Sequence, residues 1–155
     1  MNNPAINVNS EIGKLKSVLL KRPGAEVENI TPDTMERLLF DDIPFLEIAQ
    51  QEHDFFANTL RENGVETLYI DDLAVEALDT DEKVREAFVQ QYLDEAGYGI
   101  GTTHDALNDY LKTFNTRDLV TKLYAGVRRN EFDFENDSLH DLAGRDAANA
   151  FLLDP

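Results

Sequence analysis

The chain has 155 residues, 42% hydrophobic and 29% charged, a globular composition that excludes a disordered chain. Asp and Glu number 31 against 14 Lys and Arg, and the formal charge of −17 repels phosphate backbones, so no nucleic-acid partner is expected. There is no cysteine, which removes disulfides, thiolate metal sites and thiol nucleophiles from these 155 residues. No apolar run approaches the roughly 20 residues of a membrane span. Met1-Asn2-Asn3-Pro4 has neither the basic start nor the apolar centre of a signal peptide, so cytoplasmic residence and no membrane contact are expected.

Taken in order, Leu15 to Leu20 reads as a strand, closed by the turn signal Lys21-Arg22-Pro23-Gly24. Thr31-Pro32-Asp33 has the form of a helix start, a capping threonine followed by proline at the first helical position. The spacing predicts a short helix over Thr31 to Arg37. The loop Leu38-Leu39-Phe40-Asp41-Asp42-Ile43-Pro44-Phe45 follows, because the residue before a proline is pushed out of the α region. Phe45 to Asn63 is then the clearest helix, with Phe45, Ile48, Ala49, Phe55, Phe56 and Leu60 at helical spacing and Gly64 as its stop. Val65 to Ile70 alternates and reads as a second strand, completing a strand–helix–strand unit of α/β type.

At Asp71 the texture becomes helical. Asp79 is the expected cap of the next helix, whose face is marked by Val84, Ala87, Phe88, Gln91 and Tyr92, with Gly97 at its end. Thr102 to Asp105 caps another, with the stripe Ala106, Leu107, Tyr110, Leu111 and Phe114. Thr116 is the expected cap of a third, with Leu119, Val120, Leu123 and Tyr124 inward and Gly126 as the stop. Arg128 to Asp137 reads as irregular, Ser138 to Leu142 as one further turn, and Phe151-Leu152-Leu153 as a strand returning to the α/β part.

Local chemistry is sparse. Asp41 and Asp42 sit on a loop, where functional groups are commonly placed. They also read as acids leading into a helix N-terminus, whose dipole favours them. His53 has Ala49 and Ala57 at four residues on either side, so no second ligand shares its helix face. His104 falls in a capping turn and His140 in a poorly defined segment. Gly97-Tyr98-Gly99-Ile100-Gly101 lacks the preceding strand and the spacing of a dinucleotide loop, and reads as a helix stop and connection. Arg128-Arg129 reads as a charged surface or interface patch.

Several blocks together resemble the bacterial arginine deiminase family. They are Ser10 to Leu19, Arg22-Pro23-Gly24, Leu38 to Ile43, Gln50 to His53, Ala125 to Arg129 and Phe151 to Pro155. The resemblance implies an α/β fold: the first part of a pentein, or α/β propeller, with an inserted all-helical bundle. Residues 1–70 would be the first strand–helix unit, 71–148 the inserted helical domain, and 149–155 the truncated start of the next repeat. It also implies hydrolysis of L-arginine to L-citrulline and ammonia in arginine catabolism, through a covalent cysteine intermediate, with no metal and no organic cofactor. Leu39 is similar to a leucine that lines the aliphatic stem of the substrate, and it also reads as a plain core leucine.

The resemblance places the nucleophilic cysteine and the catalytic His, Glu and Asp residues beyond Pro155, so no catalytic residue is expected in this chain. The chain is therefore expected to be an inactive N-terminal fragment whose uncovered flanks, around Val18, Leu20 and Leu68, favour homo-oligomers. Two other readings compete with it. One is an acidic interaction module without enzymatic activity. The other is a hydrolase using Asp41 and Asp42, which is weakened because adjacent loop acids rarely converge on one atom.

Overall fold

The computed structural model describes residues 8, 10–35, 38–132 and 151–153. The first strand, β1 (Ser17–Leu20), pairs in parallel with β2 (Glu66–Tyr69), so that Val18 lies opposite Thr67 and Leu20 opposite Tyr69. Between them come two single-turn helices, α1 (Ala25–Glu28) and α2 (Pro32–Met35), and the long helix α3 (Leu46–Glu62). This is the expected β–α–β unit. Asn63 and Gly64 end α3 as anticipated: Gly64 has φ 76°, and the Val65 N–H donates to the Leu60 carbonyl at 3.0 Å.

The side of α3 that packs differs from the expected one. Leu46, Gln50, His53, Ala57 and Leu60, spaced by four, three, four and three residues, are buried or half-buried. Phe45, Ile48, Phe55 and Phe56 are exposed. The helix is apolar on two opposite sides, and periodicity alone does not say which one meets the sheet. Polar contacts help choose: Arg22 makes a two-pronged pair with Asp54 at 2.9 Å on each arm, and Gln50 Nε2 donates to the Pro23 carbonyl at 2.8 Å. The sheet has an open face as well. Register and alternation put Leu19 opposite Leu68, away from the Tyr69 side that meets α3. Val18, Leu20 and Leu68 are half-buried, and the apolar exposure falls on Leu19, at 52%.

From Ile70 the chain is helical: α4 (Ile70–Leu78), α5 (Glu82–Glu95), α6 (Thr102–Lys112) and α7 (Thr116–Ala125). Three caps differ from expectation. The N-cap of α6 is Gly101, with no side-chain cap bond, so the expected capping turn Thr102 to Asp105 is the first turn of the helix itself. Asp81, not Asp79, accepts from the Lys83 N–H, and Asn115, not Thr116, accepts from the Asp118 N–H, each at 2.9 Å. In both cases the capping side chain belongs to the last extended residue before the helix. The face of α5 is also rotated from the expected stripe. Val89 and Leu93 are buried and Tyr92 half-buried, whereas Val84, Ala87, Phe88 and Gln91 are exposed. The stripes of α6 and α7 face inward as expected.

The main core is helical: Val89, Leu93, Leu107, Leu111, Leu119 and Leu123 pack with Val127 and Leu153. Phe151–Leu153 does form a strand, β4. It pairs antiparallel with β3 (Val127–Arg128), not with β1 or β2, and Leu153 enters the helical core. The turn expected at Ser138 to Leu142, and His140 with it, lies outside the described residues.

Glu131, in a 3₁₀ turn over Arg129–Glu131, fastens the end of this bundle. Its carboxylate accepts from the Tyr110 hydroxyl at 2.9 Å and the Arg128 N–H at 3.0 Å, and it pairs with Lys122. Burial raises the Glu131 carboxyl, but those three donors outweigh it and hold the group below its ordinary value. Burial, and then the Glu131 carboxylate, push Tyr110 up to about 12.

Truncating Leu111→Ala is expected to cost about 2–5 kcal/mol, because the side chain is fully buried, measurable by denaturant unfolding. The Tyr110 phenol has a raised pKa, so its contribution is complete below the ordinary tyrosine value and is lost as pH climbs through about 12. Tyr110→Phe should therefore flatten that alkaline loss in a pH-dependent unfolding series. The Glu131 contribution runs the other way, being present above the ordinary carboxylate value and lost as pH falls through its lowered value. Glu131→Gln should remove that acid-side loss.

Candidate functional site

A concavity among the described residues lies where the sequence singled out a loop. Pro32, Met35, Leu39, Phe40 and Asp41 line a shallow, solvent-open cavity of about 480 Å³. The Phe40 N–H donates to the Met35 carbonyl at 3.0 Å, and Leu39 stands in the left-handed region at φ 59°. Glycine ordinarily takes that place, because a Cβ costs about 1–2 kcal/mol there. Leu39 is also 92% exposed. The plain-core reading of this residue fails: the fold holds an apolar side chain in water, on a backbone that disfavours it.

The two acids after it have different surroundings. Asp42 Oδ1 accepts from the Ile43 N–H at 2.7 Å. Asp41 is exposed on the cavity wall and has no hydrogen-bond or ion-pair partner among the described residues. Neither caps α3, which starts at Leu46 with Phe45 as its cap residue and no side-chain cap bond. The chain reaches α3 through Ile43 and Pro44, and the acids stand too far upstream to meet its first N–H groups.

Other candidates lie apart from this cavity. His53 is half-buried, with Nε2 at 3.3 Å from the Tyr69 hydroxyl and the two rings edge-to-face at 5.8 Å between centroids. Its contacts join α3 to β2. His104 Nδ1 stands 3.0 Å from Asp105 Oδ1, and its Nε2 meets the side-chain amide of Gln90. Among the described residues no group of three His, Asp or Glu side chains is placed to hold a metal ion. Gly97, at φ 87°, ends α5, and the Tyr98 N–H donates to the Leu93 carbonyl at 2.8 Å. The glycine run is a helix stop, as expected. Arg128 is half-buried and donates to Asn29 Oδ1 at 3.1 Å, so it joins α1 to the end of the bundle.

The sequence pattern of the arginine deiminase family matches residues 36–155. An arginine deiminase of Lactococcus lactis subsp. lactis is 62% identical over 155 residues, all of this chain and 38% of that protein. One from Lentilactobacillus hilgardii is 63% identical over 126 residues, 81% of this chain and 30% of the relative. One from Levilactobacillus brevis is 57% identical over 151 residues, 97% of this chain and 37% of the relative. The chain thus spans less than two fifths of the relatives it matches. No helix among the described residues is long and apolar enough to cross a membrane.

Leu39→Gly should leave the chain's stability unchanged or raise it by up to about 1 kcal/mol, because relief of the left-handed strain offsets the added chain entropy. A thermal or denaturant melt reads this directly. A loss above about 1 kcal/mol would mean that Leu39 packs somewhere, against its exposure here.

Proposed function

The chain belongs to the arginine deiminase family, and we propose that it is the N-terminal portion of an enzyme that hydrolyses L-arginine to L-citrulline and ammonia. The observation that carries this reading is the 62% identity over all 155 residues to a protein named arginine deiminase. The work of the parent enzyme is cytoplasmic arginine catabolism.

In this reading residues 1–70 are the first strand–helix unit of a pentein, 71–148 the inserted helical domain, and 149–155 the start of the next repeat. The direct passage from β2 into α4 supports the first boundary, and the shared core of α5, α6 and α7 supports the second unit. The thin packing of the first unit also fits, since among its described residues only Ile30, Ala57 and Val65 are buried and apolar.

The chemistry divides accordingly. The guanidinium carbon is stabilised by delocalisation and needs an activated nucleophile, while the cation needs carboxylate partners held out of water. In the parent these are the cysteine, histidine, glutamate and aspartates outside these 155 residues. This chain has no cysteine. It supplies Leu39, whose side chain lies along the aliphatic stem of arginine once the rest of the enzyme closes the cavity. Alone, Leu39 could contribute about 1–3 kcal/mol of apolar contact, too little to hold a solvated, charged amino acid.

The purified 155-residue chain should make no citrulline from L-arginine, while the full-length enzyme does. Turnover by the chain, persisting after removal of host enzyme, would contradict the division of labour. Silence of the full-length protein would contradict the reaction. In the full-length enzyme Leu39→Gly should raise KM about tenfold with little change in kcat, the signature of lost uniform binding.

A further inference from the structure

Asn29 stands where the first unit meets the end of the helical one. It follows α1 directly, and its N–H closes that helix on the Ala25 carbonyl at 3.0 Å. Its side-chain amide reaches the other way. Nδ2 donates to the Ala125 carbonyl at 2.6 Å, and Oδ1 accepts from Arg128 Nη2 at 3.1 Å. Ala125 is the last residue of α7, and a carbonyl there has no donor within its own helix. Gly126, at φ 79°, turns the chain from α7 into β3. One amide therefore holds the residue before that turn and the second residue after it. The two bonds also fix the sense of the amide: reversed, its nitrogen would face the guanidinium and its oxygen the carbonyl.

The cavity of the Leu39 loop begins three residues further along. Ile30, buried at 6% exposure, follows Asn29, and Pro32 is the first residue of the cavity wall. Three residues of chain span at most about 11 Å, so clamp and wall are neighbours. Backbone bonds carry the placement onward. The Met35 N–H donates to the Thr31 carbonyl at 2.9 Å, and the Phe40 N–H to the Met35 carbonyl at 3.0 Å. Leu39 lies inside that last link, and at 92% exposure its own side chain gives the loop little packing.

We propose that Asn29 is a positioning residue for arginine binding, the joint through which the end of the helical unit sets where Leu39 stands. The proposal rests on the reading of Leu39 as a wall of the arginine site. It assigns the helical unit a part in substrate binding, although none of its described residues lines the cavity. Lys21, which meets Asp71 at 3.3 Å, also joins the units, but α1 separates it from Pro32. Placement matters because a gap of about 0.5–1 Å forfeits roughly a quarter to a half of each dispersion contact.

The test is a mutant cycle on the full-length enzyme, read as KM and kcat for L-arginine. Asn29→Ala removes both bonds. Asn29→Asp keeps the bond to Arg128 and turns a second oxygen on the Ala125 carbonyl. Each should raise KM about three- to tenfold with kcat little changed. Leu39→Gly already loses the wall, so Asn29→Ala added to it should raise KM by less than about twofold further. Arg117→Ala, which breaks an exposed pair with Asp72 within the helical unit, should leave KM unaltered. A second readout, on the 155-residue chain, needs no arginine. There Asn29→Ala should speed hydrogen exchange of the Phe40 N–H at least about threefold, while the Leu111 N–H in α6 keeps its wild-type rate.

Unchanged KM in both Asn29 variants would overturn the proposal, as would effects of Asn29→Ala and Leu39→Gly that simply multiply. Unchanged exchange at Phe40 would overturn it equally. Absence of citrulline from the wild-type full-length enzyme would instead refute the reaction, and the exchange rates would then decide by themselves whether the joint holds the loop.

Discussion

The described structure rests on one apolar cluster, and that cluster is in the helices. Leu93, Leu107, Leu111 and Leu119 are fully buried, and Val127 and Leu153 close it from the β3–β4 ladder. Each such side chain is worth about 1.5–3 kcal/mol relative to exposure. The β1–α3–β2 unit has nothing comparable, since a two-stranded parallel sheet ordinarily needs cover on both faces. Here one face has α3 and the other presents Leu19 to solvent.

The thin unit is tied to the firm one by polar joints. Lys21, just past β1, lies 3.4 Å from Glu26 and 3.3 Å from Asp71, with its ammonium 4.7 Å from the centroid of the Tyr124 ring on α7. Burial, and then the Asp71 charge, raise the Tyr124 phenol and keep it neutral beside this cluster. At the other end of α1, Asn29 donates to the Ala125 carbonyl at 2.6 Å and accepts from Arg128. These joints carry geometry more than free energy, because partly exposed ion pairs contribute little. They set where the α2–α3 loop stands relative to the bundle.

That loop shows local sequence and backbone at odds. A left-handed position that ordinarily calls for glycine holds Leu39, and the leucine gains no burial in return. The outer side of α3, with Phe45, Ile48, Phe55 and Phe56, presents the same conflict at a larger scale, an apolar surface exposed among the described residues.

The sequence by itself determined β1, β2, the helices from α2 to α7, the Leu39 loop, the inward stripes of α6 and α7, and the stops at Gly64 and Gly97, but neither α1 nor β3. Each follows from interactions within a few residues: period, turn chemistry and the freedom of glycine at positive φ. Tertiary structure decided the rest. It turned Gln50, His53 and Ala57 of α3 to the sheet and left Ile48 and Phe55 outside, a choice between two apolar sides that one-dimensional spacing cannot make. It gave the capping roles to Asp81 and Asn115 over their equally suitable neighbours. It sent Phe151–Leu153 to β3 and the helical core, because strand partners are selected by long-range packing that a local apolar run does not encode.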